Sequence, residues 1–480
     1  MPEGRLLFTG ARIEPVPGAP AAEGMLVAGG RVAAVGARQD LRAAGVREID
    51  LGGGVVRPGF HDAHTHLSAG AVDVFARLDL RGASSAADAA ARAAAQARTL
   101  PPGAWVRGFG WDHTRWAGAA WPAREALDEL LPDRPAFLVR VDGHAAWLNG
   151  AALRELEAGG EGILLEEDME AARARIPADP PAVRRAALRE ALRTAAALGV
   201  VAVEDVAEDW APELYGELRD AGLLTARVGL WLPGDLEESR ARALRTAHPP
   251  DDPWVAVTTR KLFLDGTLGS RTAALDAPYA DAPDLRGALR FQDRELEARV
   301  AGFARDGWSV ALHAIGDAAA AQAVRALERA GGRRPHRIEH LQVVGTDTLA
   351  PLARSGAGAS VQPVHFAEDA SWIGARLGGR DAHVYPWRTL LTAGIPLAFG
   401  TDWPIAPLDP CLGLAAAIER EGEGLGEAAA WSAYTRGSAA VSGWDAPRGT
   451  LLPGACADFV VWDPAARRVR ATWVGGRQVS

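Results

Sequence analysis

The middle of the chain alternates short apolar runs with longer stretches that have a helical pattern of apolar and polar positions. This alternation is typical of repeated βα units, whose strands assemble into a parallel sheet. Eight such units close into a (β/α)8 barrel, or TIM barrel, and residues 58–446 are predicted to form one. The predicted strands are 55–60, 200–206, 227–232, 261–264, 309–314, 337–340, 359–362 and 396–400.

Both ends of the chain lack the helical pattern and contain short β runs separated by glycine and proline. Because the runs at the two ends are alike, we expect residues 1–57 and 447–480 to form one small, composite β-sandwich domain. A large insertion, about 68–190, follows strand one of the barrel and is predicted to fold as a cap-like subdomain. It contains predicted helices at 85–98 and 182–198.

Composition and charge narrow the class of protein. The chain has 480 residues, of which 48% are hydrophobic and 24% charged, the usual composition of a globular protein. Its net charge of −9 opposes binding to nucleic acid or to an anionic membrane. A small neutral or cationic substrate fits this charge better.

The cysteines and the first residues bear on the compartment. Cys411 and Cys456 lie far apart and match no C-x-x-C spacing, which argues against a disulfide framework and a cysteine-based zinc site. The first residues lack the apolar segment of a secretory signal, and no stretch reaches the apolar length of a membrane span. We therefore expect a cytoplasmic protein. The sequence leaves a monomer and a homo-oligomer both open.

One basic residue stands apart from the others. Of the 52 Lys and Arg residues, 51 are arginine, and Lys261 is the single lysine. Arginine can replace lysine wherever only a positive charge is needed, so the retained lysine indicates that position 261 needs a primary amine. A lysine left by chance in an ion pair is the alternative.

Candidate metal ligands follow several predicted strands. His64 and His66 lie two residues apart, and such residues point the same way in an extended chain. His313, His340 and Asp402 each follow a later apolar run. Because barrel active sites are built at the carboxyl ends of the strands, we expect these side chains to converge. The first pair alone could be two solvated loop histidines, and His313 or His340 alone could be a hydrogen-bonded core residue. The set together provides the imidazole and carboxylate ligands that zinc favours.

Lys261 opens predicted strand four, between the first histidine pair and the later ligands. A neutral buried amine can add carbon dioxide and become a carbamate, an oxygen ligand that bridges two cations. A guanidinium group cannot do this. We therefore interpret Lys261 as a carboxylated, metal-bridging residue, with a structural ion pair as the alternative.

These motifs resemble those of the metal-dependent amidohydrolase superfamily. Its members have a strand-one H-x-H, a strand-four lysine or its substitute, histidines after strands five and six, and an aspartate after strand eight, and this chain matches the set in order. The runs KLFLDGTLGSRTA (261–273), HAIGD (313–317), GTDWP (400–404) and AYTRGSA (433–439) are similar to the amidohydrolase-3 branch, which includes N-substituted formamide deformylase. The resemblance covers nearly the whole chain, including the β domain built from both ends.

The resemblance implies a ligand set and a mechanism. His64, His66, carboxylated Lys261 and Asp402 would hold one divalent ion, and Lys261, His313 and His340 a second, with a hydroxide between the ions. Two cations lower the pKa of bound water and polarise the carbonyl under attack. Asp402 would accept the proton of the hydroxide and pass it to the departing nitrogen. A one-metal site stays open, and zinc is the default ion, although such ligands also accept manganese, iron or cobalt.

Six further residues are candidates for substrate contacts. Three lie in the insertion and three follow barrel strands: Trp111, Asp112 and His144, and Asp265, Arg271 and Trp403. Packing, loop caps and support of other side chains are the alternative roles. Aromatic residues in the pocket would favour an apolar or aromatic substituent on the substrate's nitrogen.

The sequence therefore predicts a metal-dependent hydrolase that acts on a carbon–nitrogen bond other than a peptide bond, in a small N-substituted amide, formamide or cyclic amide. A lactone or phosphoester hydrolase is an alternative, because the barrel fold supports many activities and does not identify the substrate. A catalytically inactive binding protein is another, but all six ligand positions are filled.

Overall fold

The computed structural model describes residues 4–379, 384–445 and 447–480. By their internal contacts, they divide into two compact units: Met1–Ser68 with Leu192–Ser480, and Ala69–Ala191. The boundary predicted between a terminal domain and a barrel domain lies within the first unit and stays a prediction. The helices of the described ranges fall short of the length and apolar character that crossing a lipid bilayer requires.

Eight parallel strands form one sheet in the first unit, and each pairs with the next along the chain. A parallel bridge between Thr65 and Trp403 brings the two edges of this sheet together, so the strands form the predicted TIM barrel. The strands are β1 (Phe60–Thr65), β2 (Val200–Val206), β3 (Arg227–Pro233), β4 (Val255–Phe263), β5 (Ser309–Ala314), β6 (Arg337–His340), β7 (Gly358–Val361) and β8 (Leu397–Phe399).

Helices follow most of these strands and cover the outside of the sheet, which is why the strands are buried on both faces. The helices of the first unit are Arg38–Leu41, Ala211–Asp220, Glu238–Ala247, Asp293–Arg305, Asp317–Glu328, Thr346–Ser355, Pro363–Asp369, Ile373–Leu377, Trp387–Thr392, Pro410–Glu419, Glu427–Ser432 and Ser438–Val441, with a π-helical turn at Ala433–Gly437. Two more helices, Leu67–Phe75 and Pro181–Ala197, contain the points where the chain passes between the units.

Strand one of the barrel differs from its predicted range of 55–60. The apolar run divides in two: Val55–Pro58 pairs antiparallel with Phe459–Asp463 in a terminal sheet, and β1 begins only at Phe60. Gly59 joins the halves, and a Cβ atom there would lie 2.3 Å from Val201 Cγ1. The histidine pair therefore belongs to the end of β1 itself.

Strand four also differs from its predicted range of 261–264, because β4 begins six residues earlier, at Val255. Its central residues Thr258, Thr259 and Arg260 are polar yet buried, so the run lacks the apolar pattern by which strands are recognised. Lys261 consequently lies near the carboxyl end of β4 and does not open the strand.

The two ends of the chain form two sheets that share an apolar core, in which Phe8 packs edge-on against Phe459 and Trp473. This is the predicted β-sandwich. The four-stranded sheet has the order Arg31–Gly36, Gly24–Ala28, Arg5–Thr9, Val46–Asp50. The five-stranded sheet has the order Arg12–Ile13, Val55–Pro58, Phe459–Asp463, Arg468–Val474, Arg477–Gln478, and so combines both termini.

The second unit is built on a five-stranded sheet of its own, with the order Ile163–Leu165, Ala145–Leu148, Ala136–Arg140, Val106–Trp111, Leu78–Asp79. Its helices are Ala86–Ala97, Glu125–Asp128, Gly150–Glu155 and Glu166–Arg173, with a 3-10 turn at His113–Arg115. The alanine-rich helix begins after Ser85, whose side chain accepts the backbone N–H of Asp88 as an N-cap. Its alanines pack into a core with Trp111 and Trp147.

Candidate metal centre

The six ligands predicted from the sequence all lie at or near the carboxyl ends of barrel strands. This is the end at which the loops of a barrel build a site. They are His64 in β1, His66 directly after it, Lys261 in β4, His313 in β5, His340 at the end of β6, and Asp402 three residues after β8.

The ligand atoms of His64, His340 and Asp402 lie within 4.8 Å of one another. Asp402 Oδ1 is 3.5 Å from His64 Nε2 and 3.3 Å from His66 Nε2. The Nζ atom of Lys261 is 3.5 Å from the same His64 nitrogen. Nitrogen and oxygen donors from four strands or their following loops therefore converge on one small volume.

Two of these residues have a left-handed backbone, with φ at 74° for His340 and 59° for Asp402. This conformation costs a residue with a Cβ atom about 1–3 kcal/mol and is found mainly at functional sites. Consecutive residues of a regular strand point to opposite faces. Yet Glu339 hydrogen-bonds to His64, and the His340 ring lies 5.0 Å from the His64 ring. The left-handed turn at His340 brings both side chains to the same side.

Each of the three buried histidines among the predicted ligands has one ring nitrogen facing an acceptor. His64 Nδ1 lies 2.7 Å from Glu339 Oε2, His340 Nδ1 lies 2.9 Å from Gln362 Oε1, and His313 Nε2 lies 3.2 Å from a backbone carbonyl oxygen. A nitrogen in this position donates its proton, so the lone pair is on the other nitrogen. The partners thus prepare His64 and His340 to bind a metal through Nε2, and His313 through Nδ1.

Burial sets the charge of the site. It lowers the pKa of His64 to about 4, with help from the Lys261 ammonium group, and it lowers the pKa of His340 well below its ordinary value. Both imidazoles are therefore neutral, as metal ligands must be. Burial also lowers the pKa of Lys261 to about 8, against the attraction of Glu339 and Asp402 for the charged amine.

The centre contains an acceptor that the protein leaves unsatisfied. Asp402 Oδ1 is buried and has no hydrogen-bond partner in the part of the chain that the structure describes. Burial would raise the pKa of this carboxyl group, but His64 and His66 outweigh burial and hold it well below its ordinary value. A buried carboxylate oxygen without a donor is costly. Imidazole lone pairs around such an oxygen fit a divalent cation.

Comparison with known proteins agrees with this donor set. A family described as "Amidohydrolase family" matches residues 47–480. The chain belongs to this family. Over 86% of its length and 85% of the relative's, the chain is 30% identical to the amidohydrolase YtcJ of Bacillus subtilis. Over 92% of its length and 90% of the relative's, it is 25% identical to the N-substituted formamide deformylase of Arthrobacter pascens.

A solved structure supports the same assignment. A metal-dependent hydrolase from Pyrococcus furiosus is 30% identical to this amidohydrolase and covers 96% of it, with 99% of its own chain matched and a TM-score of 0.80. The family, the solved relative and the donor set together make the chain a hydrolase that uses a divalent metal ion.

Three substrate contacts were predicted in the barrel, and one of them, Asp265, hydrogen-bonds to backbone N–H groups. It accepts the N–H groups of Ala274, Ile315 and Gly316 at 2.8–3.0 Å and so holds the loops after β4 and β5 together. Arg271 has a left-handed backbone, with φ at 59°, and pairs with Asp281 at 2.9 Å. Trp403 is 5% exposed. Substrate contact stays a prediction for all three predicted residues.

The contacts predicted in the insertion have partners within their own unit. The Trp111 indole N–H donates to Leu138 O at 2.7 Å. The Asp112 carboxylate accepts the Thr114 N–H, at 3.0 Å, and pairs with Arg140. His144 Nδ1 lies 2.9 Å from a Glu166 oxygen. Substrate contact stays a prediction here too.

Three residues of the amidohydrolase centre escaped the sequence analysis. Glu339 orients His64 and is itself held by Arg337, whose Nε lies 2.6 Å from Glu339 Oε1. Gln362 orients His340. His365 places Nε2 3.9 Å from Asp402 Oδ2. The position of Glu339 next to His340 was one available signal. Gln362 ends predicted strand seven and His365 follows it by three positions, which was another.

Proposed function

We propose that this amidohydrolase cleaves a carbon–nitrogen bond other than a peptide bond, in a small N-substituted amide, formamide or cyclic amide. The observation that carries the proposal is that His64 and His340 converge with Asp402, and that the buried Oδ1 atom of Asp402 has no hydrogen-bond partner among the described residues. Similarity to an N-substituted formamide deformylase over 92% of the chain supports the choice of substrate class.

We assign the metal as zinc, because imidazole nitrogens and a carboxylate are its usual ligands. When bound, the ion supplies a nucleophilic hydroxide and polarises the substrate's carbonyl group. The protein's part is to hold the ligands. Glu339 fixes the His64 ring and Gln362 the His340 ring, so neither has to reorient during the reaction.

We assign to Asp402 the proton transfer from the nucleophile to the leaving nitrogen. Its Oδ1 atom faces His64 and His66, which leaves Oδ2 to carry the proton taken from the nucleophile. The same oxygen then gives the proton to the nitrogen as the carbon–nitrogen bond breaks. This step is needed because an amide anion is a poor leaving group.

We further propose that Lys261 is carboxylated and bridges two ions. The amine is buried, lies 3.5 Å from His64 Nε2, and belongs to the single lysine of the chain. In the modification, the neutral amine forms a nitrogen–carbon bond to carbon dioxide and loses a proton, which leaves a carbamate with two oxygen ligands.

An apolar group on the substrate nitrogen suits the aromatic residues around the centre. Phe263 ends β4 half-buried, and its ring lies 5.2 Å from the His313 ring. Trp403 follows the ligand Asp402 directly and is 5% exposed. Small-molecule sites are mostly apolar with a few placed polar groups, so these rings favour an alkyl or aryl substituent.

A substrate panel tests the proposal. The zinc-loaded protein is assayed with N-cyclohexylformamide, acetanilide, δ-valerolactone and diethyl 4-nitrophenyl phosphate, and Asp402→Asn is the control for contaminating activity. We expect hydrolysis of at least one amide, with a kcat/KM at least tenfold above that for the lactone and the phosphotriester. Faster turnover of the lactone or the phosphotriester would overturn the assignment to carbon–nitrogen bonds.

A further inference from the structure

His365, like Asp402, is a residue at the barrel mouth whose contacts are incomplete. It is the third residue of the helix Pro363–Asp369 and is 8% exposed. Its Nε2 atom is buried and has no hydrogen-bond partner among the described residues. The nearest charged group is Asp402 Oδ2 at 3.9 Å, which is too long for a hydrogen bond. A buried polar atom left open beside the predicted metal ligands calls for an explanation, and a bound substrate would supply one.

Buried histidines of this fold show both outcomes: His61 Nδ1 also has no hydrogen-bond partner among the described residues, whereas His336 uses both of its ring nitrogens. His336, at the amino end of β6, is also 8% exposed. Its Nδ1 accepts the N–H of Val310 at 3.2 Å, and its Nε2 donates to Gly331 O at 2.9 Å. Both ring nitrogens of His336 are thus hydrogen-bonded within the protein, whereas the Nε2 atom of His365 is not.

The geometry argues against His365 as a further metal ligand. Its ring lies nearly parallel to the His340 ring at a centroid distance of 6.4 Å. Its Nε2 faces Oδ2 of Asp402, and not the Oδ1 atom that His64 and His66 approach.

An atom of the substrate fits between His365 and Asp402. Hydrogen bonds of about 2.9 Å to both sides of a 3.9 Å gap would meet at an angle of about 85°, which a nitrogen with four substituents accommodates. The nitrogen that departs during amide cleavage has the two functions this position requires. It accepts a proton, and it carries an N–H group of its own.

We propose that His365 is a catalytic residue that binds the leaving nitrogen, and that the site therefore selects amides carrying an N–H group. This inference rests on the proposed function. The His365 Nε2 lone pair accepts the substrate N–H, with the ring proton on Nδ1. As the carbon–nitrogen bond breaks, its electron pair stays on nitrogen, which takes the proton from Asp402 Oδ2. His365 itself takes no proton.

Paired substrates test the inference. N-cyclohexylformamide carries an N–H group, and N-cyclohexyl-N-methylformamide does not. We expect the wild-type kcat/KM to favour the first by about 100-fold or more, because a site built to hydrogen-bond a group rejects the analogue that lacks it. In His365→Phe this ratio should fall at least tenfold, through loss on the first substrate alone. His365→Gln, whose side-chain oxygen is an acceptor, should restore part of the preference.

Controls separate this role from others. Metal content should be unchanged in His365→Phe, and loss of an ion would overturn the inference by making His365 a ligand. His336→Phe is the matched control, expected to lower the melting temperature without changing the substrate ratio. A ratio unchanged in His365→Phe would also overturn the inference. If the wild type cleaves neither formamide nor any other amide, the proposed function itself has failed.

Discussion

Clusters of charged side chains lie at strand ends both in the second unit and at the mouth of the barrel, but their hydrogen bonding differs. In the second unit, Arg140 lies between the carboxylates of Asp112 and Asp142 and pairs with both. At the mouth, Asp402 Oδ1 and His365 Nε2 are buried without a hydrogen-bond partner among the described residues. The first cluster is complete by itself, and the second is complete only with a ligand.

The difference shows what identifies a site in this fold. Buried polar groups normally find partners. Single open atoms also occur away from the mouth, such as Trp147 Nε1 in the second unit, so the mouth is marked by two open atoms that lie beside the predicted ligands. Both clusters consist of charged residues that follow strands. The sequence alone therefore selects both equally and does not distinguish a functional cluster from a structural one. The hydrogen bonds separate them. The following variants test whether the separation is real, starting with the largest expected effect.

Asp402→Asn should have the largest effect. Asparagine keeps the size of the side chain but can neither offer an anionic ligand nor carry the proton. We expect kcat/KM to fall by about 10³-fold or more, together with the metal content. A variant that keeps a tenth of the activity and its full metal content would contradict the assigned role.

Lys261→Arg should have the next largest effect. Arginine keeps the positive charge but cannot form a carbamate, so we expect about two ions per chain to fall to one or none. Loss of a bridging ligand worth several kcal/mol corresponds to about 10²–10³-fold in kcat/KM. Elemental analysis and kinetics are compared for protein expressed with zinc and bicarbonate.

Two other variants at position 261 are needed to interpret that result. Lys261→Glu supplies a carboxylate in place of the carbamate and should recover part of the metal content, whereas Lys261→Ala should not. If the arginine variant keeps the metal and activity of the wild type, position 261 needs only a positive charge near Glu339 and Asp402, and the bridging role is wrong.

The barrel could be predicted, and its candidate ligands could be selected, because their signals are local in sequence. Buried parallel strands appear as apolar runs, and a functional residue follows such a run by one to three positions, as Asp402 follows β8. The lysine was recognisable by its chemistry, since the other basic residues are arginine. Strand one was misplaced because the apolar run at 55–60 serves two sheets, and Gly59 gives no sign of which residues belong to which.

The supporting residues could not be predicted, because their partners are distant in sequence. Glu339 and His64 are 275 residues apart. The left-handed backbone at His340 places Glu339 and His340 on the same side, against the alternation that sequence analysis assumes. His365 depends on where its helix sits beside Asp402, which is a tertiary property.

Glu339→Gln tests the residues that orient the predicted metal ligands. We expect its effect on activity to be of intermediate size. Glutamine can still accept from His64 Nδ1, but the charge that strengthens that bond is lost. We expect zinc affinity to fall about 10–100-fold, as for other residues that orient a metal ligand. Activity should recover at excess zinc. Arg337 would be left buried beside a neutral side chain, at a cost of about 3–5 kcal/mol in the free energy of unfolding. Zinc affinity within threefold of the wild type would contradict the orienting role.

Arg140→Met should have the smallest effect on activity, and it tests the other side of the comparison. The side chains of Arg140, Asp112 and Asp142 are only 11–20% exposed, so removing the guanidinium leaves two carboxylates facing each other. We expect the free energy of unfolding to fall by about 1–3 kcal/mol in denaturant titrations, with kcat/KM within threefold of the wild type. Arg81→Met, which removes an exposed pair with Asp79 in the same unit, is the control and should change stability by less than about 1 kcal/mol. A tenfold rise in KM for N-cyclohexylformamide in Arg140→Met alone would mean that the paired cluster serves the substrate. Satisfied hydrogen bonds would then no longer distinguish structural clusters from functional ones in this fold.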